Sequence, residues 1–190
     1  ARSRAIAIQL RSPPATDPKS AAEAVERMAK LYVAGGEWSN AVSVLEEFIT
    51  DNIQNTESPR LSIQAIRYAV AGEMPQDALR MVDFFISRFE NHPDRSRAEL
   101  LLAQGFRQIG DVGRATIILE RLHRQSAAGM TSPELALVID VTLADFYYEG
   151  GDYERSLEVL SKLSQIYGSR RDDLIQALPF YAGLCEHKPA

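Results

Sequence analysis

The chain has 190 residues, which suits one domain or one short repeat array, and its 45% apolar content builds a sizeable core and excludes a disordered chain. A net charge of −5 argues against nucleic-acid binding driven by bulk charge, and a single cysteine, Cys185, excludes a disulfide framework within the chain. No apolar run approaches the roughly 18 to 20 residues that a membrane-spanning helix needs.

Residues 1–18 predict an extended arm. Arg2, Arg4 and Arg11 make it basic, Ile6, Ile8 and Leu10 alternate as in a strand, and Pro13, Pro14 and Pro18 interrupt regular structure. Residues 19–186 then form one helical repeat domain, and 187–190 a tail. The apolar periodicity predicts helices over 18–34, 38–53, 59–71, 75–90, 95–109, 112–127, 133–149, 153–167 and 172–186. Asp17-Pro18, Ser58-Pro59 and Ser132-Pro133 each place a capping side chain before a proline at the first helical position. Pro75 marks another start. Ser20 to Glu23 and Ser96 to Glu99 have the capping-box spacing. Stops fall at Gly35-Gly36, Ala71-Gly72, Gly110-Asp111 and Gly150-Gly151.

The helices repeat in register. Ala41, Ala78, Ala115 and Ser156 open successive second helices at intervals of 37, 37 and 41 residues. Five residues before each stands Gly36, Glu73, Gly110 or Gly151. Nine before stands Tyr32, Ala69, Phe106 or Tyr147, and twelve before, Ala29, Ile66, Ala103 or Ala144. Four after stands Leu45, Val82, Leu119 or Leu160, and seven after, Phe48, Phe85, Leu122 or Leu163. Small residues let paired helices approach closely, glycine closes the first helix, and large apolar residues fill the space between pairs. A single pair cannot bury both of its apolar faces, so the pairs must stack.

These positions resemble the tetratricopeptide repeat family, whose basic unit is about 34 residues. The best copy runs from Ala144 through Tyr147 and Gly151-Asp152-Tyr153 to Leu160, and Ala103 to Leu119 is nearly as good. The second copy departs, with Glu73-Met74-Pro75 at the turn and Ala69 in place of the aromatic. The resemblance covers residues 20–186, four pairs plus one terminal helix. The longer period and the passage from Arg88 to Ala98 are also similar to bacterial periplasmic and lipoprotein repeats. The resemblance implies an all-α, right-handed superhelical solenoid of antiparallel helix pairs. It implies a protein-interaction scaffold or adaptor within a larger assembly, not an enzyme. The compartment stays open between cytoplasm and periplasm.

In this family the first helices line a groove. By register that groove holds Glu23, Glu26, Lys30 and Val33, then Arg60, Ile63, Arg67 and Val70, then Arg97, Leu100, Gln104 and Arg107, and finally Val138, Val141, Asp145 and Tyr148. Of these, Lys30, Arg60, Arg67, Arg97, Gln104, Arg107, Asp145 and Tyr148 are the candidate partner-binding residues. The central arginines suit an acidic or extended peptide, because guanidinium forks match carboxylates. The carboxylate clamp of chaperone-binding members is not expected. Its positions fall on Glu26, Lys30, Gln64, Arg97 and Leu101, and only Arg97 is acceptable there. A second candidate interface, open to a copy of the chain or another protein, is the apolar terminal helix with Leu174, Phe180 and Leu184.

Two other readings stand beside the scaffold. One is a nucleic-acid-binding repeat using Arg67, Arg97 and Arg107, opposed by the acidic net charge. The other is an accessory domain of a membrane-associated complex, in which the short arm is too weak to anchor by itself. No cofactor or metal is expected. His92, His123 and His187 are scattered, Cys185 reads as a small core residue, and neither a phosphate-binding loop nor a dinucleotide fingerprint is present.

Overall fold

A computed structural model describes residues 18–167. They form eight helices: α1 (Pro18–Ala34), α2 (Trp38–Asp51), α3 (Ser58–Ala71), α4 (Pro75–Arg88), α5 (Arg95–Gln108), α6 (Val112–Ala127), α7 (Pro133–Glu149) and α8 (Tyr153–Tyr167). These bounds lie within two residues of those expected from sequence, and no strand occurs among the described residues. The arm, the helix expected over 172–186, and with it Leu174, Phe180 and Leu184, lie outside the described residues.

The helices group into two compact units, one ending at Asp111 with α1–α5 and one beginning at Val112 with α6–α8. In the first unit each helix packs on the next, and the first helices of successive pairs also touch, α1 on α3 and α3 on α5. In the second unit α6 packs on α7 and α7 on α8. The register positions explain this. Ala29, Ala41, Leu45, Ile66, Ala69, Ala78, Phe85 and Ala103 are all fully buried. Small residues at the crossings set the close approach, and the larger ones contribute most of the apolar burial. In the fourth pair Ser156 replaces the small alanine, and its buried hydroxyl donates to the Ala144 carbonyl at 2.8 Å. That bond offsets the cost of a polar group in the core.

The first helices end in one repeated hydrogen-bond pattern. Glu37, Met74, Asp111 and Asp152 donate their backbone N–H to the carbonyls of Tyr32, Ala69, Phe106 and Tyr147, five residues back, at 2.8–2.9 Å. The residue before each donates to Val33, Val70, Arg107 and Tyr148 respectively. This is the Schellman stop, and it demands a left-handed residue at the inner donor. Gly36, Gly110 and Gly151 meet that demand at φ of +74°, +78° and +80°. The second pair meets it with Glu73 at φ +55°, which strains an L residue. Glu73→Gly is therefore expected to raise unfolding stability by about 0.5–1 kcal/mol, the relieved strain less the added freedom of the unfolded chain. A urea midpoint that stays put or falls would contradict this.

Helix starts follow the sequence less closely. Ser132 caps α7 as expected, its hydroxyl accepting from the Leu135 N–H at 3.3 Å. Ser58 is not a cap: it lies inside α3, fully buried, and donates to the Asn52 carbonyl at 2.7 Å. Ser96 and Ser20 also fall inside their helices, because α5 opens at Arg95 and α1 at Pro18. Neither capping-box spacing marks a helix start. Glu99, the expected box partner, is instead buried beside Arg95, whose Nε lies 3.5 Å from its carboxylate.

Candidate partner-binding surface

In the first unit α1, α3 and α5 stand side by side. The register alternates seam and surface positions along them. Ile63, Val70 and Leu100, expected to line a groove, are buried. Val70 shows why: it lies against Gly105 of α5, where an added Cβ would come within 3.2 Å of its Cγ2. Val70 thus belongs to the seam between α3 and α5 and not to an open groove. Lys30 and Arg67 are exposed, and Gln104 and Arg107 are half-buried.

The charges on this face are largely paired. Glu26 of α1 accepts from Lys30 at 2.7 Å and from Arg60 of α3 at 2.8 Å, so it bridges the α1–α3 seam. Arg60 also meets Glu57 at 2.7 Å. Arg97 lies 3.9 Å from Asp94. Arg67 is different, because among the described residues it has neither an ion pair nor a hydrogen bond. The accessible positive charge of the arginine strip therefore centres on Arg67.

The Lys30 hydrogen bond, opposed by partial burial and helped by Arg60, holds the Glu26 carboxyl below its ordinary value of 4.5. A depressed carboxylate contributes stability above its unfolded value and loses it as pH falls through the folded one. Between pH 6 and pH 3 the wild type is thus expected to lose more stability than Glu26→Gln. The difference should stay below about 1 kcal/mol, because the pair is partly solvated. Urea titrations at both pH values check this, and equal losses would refute it.

In the second unit Asp145 is half-buried and Tyr148 is exposed, its ring edge-on to Tyr153 at 5.3 Å. Sequence reasoning passed over a cleft of about 180 Å³ where α6, α7 and α8 meet. The Tyr147 hydroxyl donates to Glu120 at 2.8 Å, and the Arg155 guanidinium sits 5.6 Å from the centre of the Tyr147 ring. Arg155 also reaches Glu120 at 3.8 Å and Asp152 at 3.3 Å. His123 meets Asp140 at 2.6 Å, and Lys162 meets Glu158 at 2.7 Å. Burial first, and then the bond to Glu120, raise the Tyr147 hydroxyl above its ordinary value.

The register offered a signal for this cleft. Five residues after the small position stand Glu46, Asp83 and Glu120. Glu46 pairs with Arg80 of the next second helix, as Glu120 pairs with Arg155. The cleft is thus one rung of an acid–base link between consecutive second helices, and most of its charges are engaged with each other.

Among known proteins, a tetratricopeptide repeat family model matches residues 23–52, most of the first pair. No curated protein sequence matches the chain. Solved structures with the same fold include a Podosopora anserina protein described as a candidate kinesin light chain with nearly identical TPR-like repeats. It is 20% identical, with a TM-score of 0.65 over 89% of this chain and 84% of that one. BtubC (BKLC) from P. vanneervenii aligns at a TM-score of 0.60 with 14% identity, covering 99% of this chain and 74% of that one. MamA residues 41 to the end, from Desulfovibrio magneticus RS-1, aligns at 0.56 with 14% identity over 88% and 94%. At these identities the likeness carries the fold alone. The helix pairs, the repeated stop and these matches together give the chain an all-α helical-repeat fold similar to that of tetratricopeptide proteins.

Proposed function

We propose that this helical-repeat scaffold binds an extended acidic peptide segment across the first helices α1, α3 and α5, with Arg67 as the central contact. The observation that carries the reading is the unengaged guanidinium of Arg67 on a face whose other cations, Lys30, Arg60 and Arg97, already lie near carboxylates. A peptide carboxylate can take the Arg67 fork without breaking an existing pair, and can then compete for the weakly held Arg97. Gln104 and Arg107 stand on the adjoining helix as further hydrogen-bond donors. Asp145 and Tyr148 hold the same register positions on α7.

The test is affinity capture from the native organism with wild type beside Arg67→Glu/Arg97→Glu, read by mass spectrometry. A protein captured by wild type and lost with the variant supports the site. A partner retained by both, or captured RNA whose binding falls steeply with salt, would overturn it. For an isolated partner peptide, Arg67→Glu alone is expected to weaken binding at least tenfold. Removing a charge-assisted hydrogen bond is worth about 1.5–3 kcal/mol, before any added repulsion.

A further inference from the structure

We propose that the cleft between α6, α7 and α8 binds a small monocarboxylate with a ring-sized apolar body, held at its carboxylate by Arg124. The cleft lies wholly in the second unit and shares no residue with the first-helix face around Arg67.

Two adjacent positions carry the inference, because there the chain departs from its own repeat. Eight residues after the small position stand Ile49, Ile86 and His123, and nine after stand Thr50, Ser87 and Arg124. Ile49 is fully buried and Ile86 half-buried. His123 puts an imidazole where those isoleucines fill space, which gives up apolar burial. Its 2.6 Å contact with Asp140 offsets part of that cost. Arg124 puts a long cation where the other pairs have a short hydroxyl side chain. It lines the cleft, and its guanidinium has neither an ion pair nor a hydrogen bond among the described residues. The cations around it are answered, Arg155 by Glu120 and Lys162 by Glu158.

Charge sets the valence of the ligand. Three cations line the cleft, Arg124, Arg155 and Lys162, against two carboxylates, Glu120 and Glu158. The Lys162 hydrogen bond and charge, helped by His123 and Arg155, hold the Glu158 carboxyl below its ordinary value of 4.5, so it is ionised at neutral pH. One positive charge is left over. It suits a monoanion, whereas a phosphate dianion would have to face both carboxylates. The planar guanidinium fork also matches the two oxygens of a carboxylate.

Size and polarity set the rest of the ligand. Leu143 and Val159, both buried, and the half-buried Tyr147 give the cleft its apolar lining. Its volume of about 180 Å³ is slightly above the roughly 150 Å³ of a cavity that holds benzene, and below the roughly 300–1,000 Å³ of sites for drug-sized ligands. A single ring bearing one carboxylate matches that volume.

The test is a titration of the full chain with benzoate at neutral pH, followed by NMR. Benzoate should shift the His123 and Tyr147 ring signals saturably. It should bind at least about tenfold more tightly than benzamide, which keeps the ring and lacks the charge, and than acetate, which keeps the charge and lacks the ring. Arg124→Gln should weaken benzoate by about tenfold or more, the effect of losing a charge-assisted hydrogen bond. Arg124→Lys, which keeps the charge and loses the fork, should fall between. Arg88→Gln removes the same charge from the exposed surface of α4 and should leave benzoate binding unchanged. Both arginines are exposed, so neither substitution disturbs the core. The absence of a saturable shift, equal binding of acetate or benzamide, tighter binding of inorganic phosphate, or equal weakening by Arg124→Gln and Arg88→Gln would overturn the proposal.

Discussion

Phe85→Ala is expected to lower the unfolding free energy by about 3–5 kcal/mol, the cost of removing a large, wholly enclosed side chain. Phe85 stands on α4 with none of its surface exposed. Its ring lies 5.3 Å from Phe89 and 5.5 Å from His92, so it holds the connection from α4 to α5 as well as the core. The Phe89 N–H donates to the Phe85 carbonyl at 2.8 Å, and the Asp94 N–H donates to His92 Nδ1 at 3.2 Å, immediately before α5. Truncation leaves a cavity under this connection and removes two aromatic contacts with one change. The repeat provides a control at Phe48, the same register position on α2, which is only half-buried. Phe48→Ala should cost clearly less. Urea denaturation of both variants checks the ranking, and equal losses would sink the argument from burial. Hydrogen exchange should also show faster opening of amides 89–94 in Phe85→Ala, since each pair depends on its nearest neighbours.

The helices were legible because their stops are written in backbone chemistry. Gly36, Gly110 and Gly151 sit where only a left-handed residue closes the Schellman bonds, and Pro75 and Pro133 sit where a missing N–H costs nothing. Serine is less informative, because its hydroxyl serves equally well inside a helix. Ser58 and Ser62 show this, donating to the carbonyls of Asn52 and Ser58. The candidate surface was legible only in part. Register placed Ile63, Val70 and Leu100 on the first-helix face, but periodicity cannot say whether a face meets solvent or a neighbouring helix. It meets a neighbour because Gly105 lets α5 come close to α3. The pairing of Arg60 with Glu26 was hidden for a related reason: the two are 34 positions apart, and only stacking brings them to 2.8 Å.

The two faces of the helix pairs divide their charge differently. Between second helices, Glu46 with Arg80 and Glu120 with Arg155 tie successive repeats, and the Tyr147 hydroxyl joins the second of these ties. On the first helices the Lys30–Glu26–Arg60–Glu57 chain uses up the charge at the α1–α3 seam and leaves Arg67 beyond it. A ligand that needs several free cations in a row would meet mostly neutralised pairs here. One that needs a single guanidinium fork beside polar neighbours would meet it at α3. On the proposed reading, this arrangement suits an acidic peptide segment better than a long uniform polyanion.

Gly72→Ala is expected to cost about 1–2 kcal/mol, for a reason unrelated to backbone conformation. Gly72 follows α3 at φ −85°, which any residue adopts. A Cβ there would lie 2.6 Å from the Trp38 Cβ and 2.8 Å from its Cγ, so α2 and the end of α3 would have to separate. Overpacking of this kind costs about 1–3 kcal/mol, and the lower entropy of the unfolded alanine chain returns about 0.4–1. Gly36→Ala makes the contrast, since nothing lies within 4 Å of its added Cβ and only its φ of +74° resists. Trp38 is the one tryptophan in the chain, so its fluorescence reports the displacement directly. Its ring packs tilted on Tyr68 at 6.2 Å, and Gly72→Ala should shift the emission while Gly36→Ala leaves it nearly unchanged. Trp38→Ala removes the Cγ but keeps the Cβ, which is the nearer obstacle. Gly72→Ala should therefore still destabilise the Trp38→Ala background. Full rescue there would mean that the indole ring, and not the close approach of the two backbones, is what requires glycine at this position.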